Sequence, residues 1–220
     1  MATSVNHNKN NSIITRYIDM QKSVKDELLA LLIGAHPDAI VVNIACKCTQ
    51  RSQRIAHTNT WYDVIYGNGG AIADTESDDA NHHIVYADSD SLEWLSNIVG
   101  SSAVILLDGV APTLTSTSIS ALFTALEERF CHLYILMDVC TLKGAKALNR
   151  QEKKAMSPTT YHGIDSPIIP INNTNITYIT EHSMMPQYLI DTLPRGCRWH
   201  FSTFFHSKIK SMHRLYEYKK

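Results

Sequence analysis

Apolar residues recur at helical spacing across residues 13–33, ending in Leu28-Leu29-Ala30-Leu31-Leu32-Ile33, and Gly34 and Pro37 are stop signals, so a helix is predicted there. Residues 39–45 form a short β-branched run and predict a buried strand. Further strands are predicted over 63–66, 83–87, 103–107, 132–137, 176–180 and 198–202. The runs at 103–107 and 132–137 are apolar throughout, the pattern of strands covered on both faces. Between them, 118–130 is amphipathic, with Ile119, Leu122, Phe123 and Leu126 on one side, which gives a strand–helix–strand crossover. One reading of 91–98 is a short helix capped by Asp88 and Asp90. The sum is one α/β domain over residues 1–220, doubly wound, with a mostly parallel sheet and helices on both faces. Residues 1–12 are expected as a disordered tail and 150–175 as a polar, Pro-containing loop or insertion.

Composition changes this picture little. With 220 residues, 44% of them hydrophobic, the chain can bury a core without disulfides, and nine glycines exclude a collagenous repeat. No apolar run is long enough to span a bilayer, and the polar start lacks a signal-peptide core. The five cysteines are an odd number, which predicts reduced thiols in a cytoplasmic setting. Cys46 and Cys48 are the one close pair, no pattern supplies two further zinc ligands, and no metal site is assigned.

Charge changes it more. The formal net charge is −1, yet residues 1–54 carry seven bases and four acids. Residues 55–128 carry eleven acids and no Lys or Arg, and 129–220 carry thirteen bases and six acids. Such segregation either gives distinct electrostatic faces or mixes on folding.

Candidate chemistry sits at the strand ends, because ligands of open α/β sheets bind beyond the carboxyl ends of the strands. One predicted strand runs into Gly67-Asn68-Gly69-Gly70 and the next ends in Asp88-Ser89-Asp90. Two others end in Asp108 and Asp138. A glycine turn with an acid about twenty residues later has nucleotide-binding spacing, the carboxylate accepting from ribose hydroxyls. The acidic segment after Gly70 suits a ligand without phosphates. The alternative is an ordinary turn, with the two acids capping a helix.

The series VIYGNGG, IVYADSD, VILLDG and YILMDV resembles class I, Rossmann-like S-adenosylmethionine-dependent methyltransferases. The segment ITEHS at 179–183 is also similar to one in nidovirus-type ribose 2′-O-methyltransferases. The resemblance implies S-adenosylmethionine as cofactor, held by Gly67, Gly69, Gly70, Asp88 and Asp90. It also implies a Lys-Asp-Lys-Glu tetrad of Lys47, Asp108, Lys143 and Glu181, with Lys25 a weaker candidate than Lys47. In such a tetrad a lysine of lowered pKa takes the ribose proton. Placing ITEHS directly on the family's segment puts Tyr178 where the second lysine belongs, a departure. A second departure concerns strands: if 40–45 is the first strand, seven strands are restored but no glycine follows it.

Residues 195–220 hold seven bases against one acid, interleaved with Trp199, Phe201, Phe204, Phe205, Tyr216 and Tyr218. That mixture suits RNA, bases stacking on aromatics beside a bound backbone; the alternative is a core strand over 198–202 followed by a solvated basic helix. The resemblance thus implies RNA ribose methylation by a viral protein in host cytoplasm. Two other functions compete with it. One is an inactive methyltransferase-like fold used as a structural or interaction protein, with a protein partner or a second copy. The other is a metal-dependent hydrolase using Asp88, Asp90 and Asp108.

Overall fold

The computed structural model describes residues 2–46, 50–55, 58–67, 81–88, 91–156, 159–202 and 212–220, with side chains from Ile13 onward. Its centre is a seven-stranded sheet of β1 (Ile40–Ala45), β2 (Trp61–Tyr66), β3 (His82–Ala87), β4 (Ser102–Asp108), β5 (His132–Cys140), β6 (Thr177–His182) and β7 (His213–Lys219). The spatial order is β3-β2-β1-β4-β5-β7-β6. Strands β1 to β5 pair in parallel, and β7 runs antiparallel to both β5 and β6. Burial follows position: β1 is buried throughout and β4 through Ala103–Leu107, whereas edge strand β6 alternates exposed and half-buried residues.

Helices cover both faces, as expected of a doubly wound sheet. On one face α1 (Ala2–Ala35) packs Val24, Leu29 and Ile33 onto Val41, Trp61, Val104, Leu106, Leu136 and Leu215. On the other, α2 (Ser116–Arg129) sets Ile119, Leu122, Phe123 and Leu126 against Val42, Ile44, Ile105, Leu107 and Ile135. Thr115 starts α2 as its N-cap, its side chain accepting from the Ser118 N–H. The earlier part of α1 closes a third cluster: Tyr17 and Met20 meet Met185, Ile190, Leu193 and Phe201 beside α4 (Gln187–Asp191) and α5 (Arg195–Ser202). The segment expected as a tail enters the description as backbone of α1, which no Pro or Gly interrupts before Gly34.

Three sequence expectations are corrected. Residues 198–202 form part of helix α5, in which Phe201 is fully buried while Trp199 is 65% exposed, a one-sided pattern that a helix satisfies. Of the basic stretch that ends the chain, His213–Lys219 form strand β7, with Tyr216 and Tyr218 fully buried, so these two tyrosines are core residues unavailable to stack on bases, and Phe204 and Phe205 lie outside the described residues. Segment 91–98 makes only a 3₁₀ turn, Glu93–Asn97, in which the Ser91 hydroxyl accepts from the Glu93 N–H.

The Pro-containing segment 159–175 is tied down after α3 (Leu142–Ala155). The Tyr161 N–H donates to Asn149 Oδ1 and its carbonyl accepts from Asn149 Nδ2, while the Ile164 N–H donates to the Cys140 carbonyl at 2.8 Å. Gly163 lies flat on the start of α3: a Cβ there would sit 2.4 Å from Leu142 Cα and 2.5 Å from Leu142 N. Gly163→Ala is therefore expected to cost about 1–3 kcal/mol, as overpacking against backbone does. Urea unfolding measures it, and an unchanged midpoint would contradict the contact.

Candidate functional site

Strand order reverses between β1 and β4, which run side by side in parallel, so the switch-point crevice opens at their carboxyl ends. Alternation along the strands puts Asn43, Asp63, Asp108 and Asp138 on the face that α1 covers, in phase with Val41, Trp61, Leu106 and Leu136. From that helix comes Lys25, 6% exposed. Its Nζ bonds Asp108 Oδ1 and lies 3.0 Å from Asp138 Oδ2. Arg51, in the connection after β1 and 1% exposed, reaches Asp108 Oδ2 at 2.9 Å. It also bonds Asp26 of α1, which in turn receives Arg54 at 3.1 Å. The other oxygen of Asp138 accepts from the Gly109 N–H at 2.8 Å.

The chain of contacts continues across the sheet. Arg51 Nη1 donates to Asn43 Oδ1 at 2.9 Å and Asn43 Nδ2 donates to Asp63 Oδ1 at 2.6 Å. Asp63 Oδ2 lies 2.9 Å from His82 Nε2. Polar groups thus connect β3, β2, β1, β4 and β5 beneath α1.

This arrangement fixes protonation states. Burial pulls the Lys25 ammonium down, but the Asp138 and Asp108 carboxylates together outweigh it and hold its pKa above the ordinary lysine value. Burial pushes the Asp108 carboxyl up, while Lys25 and Arg51 outweigh that and hold it below the ordinary range. Cys46, at the end of β1, is pushed up by burial and then by Asp138 and Asp108, so it remains a thiol. The structure brings Lys25, the weaker of the two lysine candidates, to Asp108, and gives it the reverse of the lowered pKa a proton-accepting lysine needs.

The other expected site residues are spread along the carboxyl edge. Gly67 closes β2, its N–H donating to the Ala87 carbonyl at 3.2 Å, and Asp88 is exposed at the end of β3. Both stand one strand further out than the motif's resemblance implied, because β1 is the 40–45 run and no glycine follows it. Lys143 is exposed as the second residue of α3, and Glu181 is exposed on β6, 3.7 Å from Arg214. Tyr178 packs its ring against Tyr216 and Tyr218. Lys47, Gly69, Gly70 and Asp90 lie outside the described residues. Among the described residues, no group of three His, Cys, Asp or Glu is placed to hold a metal ion. No described helix is long and apolar enough to cross a membrane.

Sequence reasoning missed Arg51, Asn43 and Asp63 as site residues. The signal was present: Asn43 and Asp63 are single polar residues inside otherwise apolar strand runs, and a buried polar group requires a partner. It also missed a small recess beside the ion cluster, with room for about one water, lined by Tyr17, Glu181, His182, Ser183, Met184, Met185 and His213.

Lys25→Met should lower unfolding stability by about 3–5 kcal/mol, since it strips a buried cation from two carboxylates. Chemical denaturation at neutral pH measures it, and a loss under ~0.5 kcal/mol would show the cluster to be solvated. Because Lys25 is raised, its contribution is complete below the unfolded value of 10.5 and fades as pH climbs through its folded value. Because Asp108 is depressed, its contribution is complete above 3.8 and fades as pH falls through its folded value. In Lys25→Met the alkaline loss should be smaller than in the unaltered chain.

Neither a protein-family profile nor a curated protein sequence matches the chain. Solved structures do. A Thermobifida fusca protein with a provisional methyltransferase assignment superimposes with a TM-score of 0.61 at 11% identity, over 93% of this chain and 81% of that one. The Synechocystis magnesium protoporphyrin IX methyltransferase, solved with bound SAH, gives 0.51 at 12% identity, over 91% and 82%. An Anabaena variabilis SAM-dependent methyltransferase gives 0.54 at 11% identity, over 84% and 78%. The chain has the Rossmann-like fold of class I S-adenosylmethionine-dependent methyltransferases.

Proposed function

We propose that the chain binds S-adenosylmethionine in the crevice between the ends of β1 and β4 and transfers its methyl group to a ribose hydroxyl of RNA. The observation that carries this is the strand order β3-β2-β1-β4-β5-β7-β6 with β7 reversed, in a fold shared over most of the chain with methyltransferases solved with that cofactor's product. The residues around the crevice fit such a ligand. Gly67 and Gly109 both face open space, a Cβ at either meeting nothing within 4 Å, and Asp88 offers an exposed carboxylate for ribose hydroxyls. The cofactor, when bound, supplies an electrophilic methyl group on a sulfonium. The protein's part is to orient the acceptor and receive its proton.

RNA as acceptor draws support from α5, where exposed Trp199 stands beside exposed Arg195 and His200. A second function, a binding module without catalysis, is favoured by one specific finding. Both oxygens of Asp108 are occupied by cations, and Lys25 is held as an ammonium, so this pair offers no proton acceptor. The same occupancy leaves Asp108 poorly suited to a hydrolase metal.

Calorimetric titration with S-adenosylmethionine and S-adenosylhomocysteine tests the cofactor directly. Ligand at about a hundred times its Kd should add about 2.7 kcal/mol of stability. For a domain of this size that raises Tm by roughly 5–10 °C. Asp88→Ala should weaken binding. Heat and Tm unchanged by either ligand would overturn the proposal, and binding without methyl transfer to capped RNA would favour the non-catalytic module.

A further inference from the structure

At 34 residues α1 is longer than the sheet it covers. Lys25 lies level with the carboxyl ends of β4 and β5, and Leu29 and Ile33 follow it down the sheet, so the residues before Lys25 overhang the carboxyl edge. Tyr17, about 12 Å further along the helix axis, stands edge-on to His213 at the start of β7. Helices α4 and α5 are fastened to that overhang, where Ile190, Leu193 and Phe201 pack against Tyr17 and Met20. Leu193 just ahead of α5, and Cys197 and Phe201 within it, recur at every fourth position, so the helix turns one stripe inward.

The remaining face of α5 is exposed. On it Arg195 has Arg198 and Trp199 as its i+3 and i+4 neighbours, so one surface joins two guanidinium groups to an indole. Trp199 is 65% exposed, and His200 stands against its ring with centroids 5.3 Å apart. Exposed indoles suit interfaces, because one rigid ring covers a large area at little conformational cost. Arg198 is held in place, its Nη2 donating to the Asp191 carbonyl at 2.6 Å and the Leu193 carbonyl at 3.2 Å. The Asp191 carboxylate accepts from Gln187 of α4 at 3.0 Å. From Thr192 to Tyr216 the sequence has five Lys or Arg and no Asp or Glu. The charge suits a polyanion and the indole a flat ring, and single-stranded RNA offers both.

We propose that this face of α5 is a docking site for single-stranded RNA, with one base stacked on Trp199 and backbone phosphates beside Arg195 and Arg198. The site deepens the function proposed above and rests on its RNA acceptor, but it requires no cofactor. It is also separate from the crevice: α4 and α5 follow β6, which stands three strands from β4, roughly 14 Å at the usual strand spacing. Trp199 and Arg195 therefore hold the polymer while the reacting nucleotide lies elsewhere, and their loss weakens RNA capture more than it slows the transfer step.

Trp199 serves as its own probe, since the other two tryptophans, Trp61 and Trp94, are 0% and 4% exposed. A single-stranded RNA of about twelve nucleotides, within the usual range of such sites, is titrated into the cofactor-free full chain. It should quench the exposed tryptophan emission, and the same sequence as a duplex should quench it less. By anisotropy of end-labelled RNA, Trp199→Ala should weaken binding about 5–150-fold, as loss of one base–aromatic stack does, and Trp199→Phe should retain most of the affinity. Arg195→Gln should make the fall of log K with log salt shallower by about 0.7, a slope that Trp199→Ala leaves as it is. Thermal unfolding of these surface variants should match that of the unaltered chain, which separates lost binding from misfolding. Emission that RNA leaves unquenched, or full RNA affinity in Trp199→Ala, would overturn the site, as would anionic phospholipid vesicles quenching Trp199 where RNA does not. RNA docked at Trp199 without methyl transfer when S-adenosylmethionine is added would uphold the site and remove the function proposed above. Methyl transfer with an unaltered KM for RNA in Trp199→Ala would do the reverse.

Discussion

The placement of one ammonium under α1 constrains nearly everything at the carboxyl edge of the sheet. Lys25 reaches Asp108 and Asp138, on adjacent strands β4 and β5, and is itself buried. Desolvating three charges is expensive, and such a cluster persists only where each is met by opposite charge and further hydrogen bonds. Arg51 on Asp108 and the Gly109 N–H on Asp138 supply them. Removing any member leaves a buried charge uncompensated, so the cluster fixes how α1 lies across the strands as well as which strand ends meet beneath it. The apolar contacts of Val24, Leu29 and Ile33 hold the helix to the sheet, but greasy packing tolerates sliding better than paired charges do.

The same cluster separates what this fold could do from what it does with Asp108. An acid at the end of β4 is available to a ligand only if its oxygens are free, and here one faces Lys25 and the other Arg51. The centre of the sheet is thus closed by its own charges, while Gly67 and Asp88 lie outside the cluster, at the ends of β2 and β3.

The sheet's interior was legible in the sequence and its rims were not. β4 and β5 announce themselves because burial on both faces demands unbroken apolar runs, and α2 because one buried face demands helical spacing. β7 hid because Leu215, Tyr216 and Tyr218 are interspersed with His213, Arg214, Glu217 and Lys219, whose charges read as a solvated helix. The long side chains of that strand find partners locally: Lys219 lies over the Tyr134 ring, and Lys220 donates to the Glu127 and Phe130 carbonyls. Residues 198–202 misled in the opposite sense, since aromatic content favours strands while a single buried Phe201 anchors a helix. At the site, Asp108 and Asp138 were visible as strand-end acids. Their partners were not, because Lys25 precedes Asp108 by 83 residues and Asp138 by 113, distances no spacing rule connects.

Charge segregation along the chain acquires its meaning from that long-range pairing. The base-free stretch contributes Asp63 and Asp108, and both are compensated by groups from the basic first segment, directly through Lys25 and Arg51 or by way of Asn43. Mixing of the segments, one of the two outcomes the sequence allowed, therefore holds inside the molecule. On the surface, Asp88 is exposed at the end of β3, and Arg195 and Arg198 are exposed on α5. A near-zero total charge thus conceals a centre whose acids are met by bases brought from far along the chain, where exclusion of water makes the pairing strong.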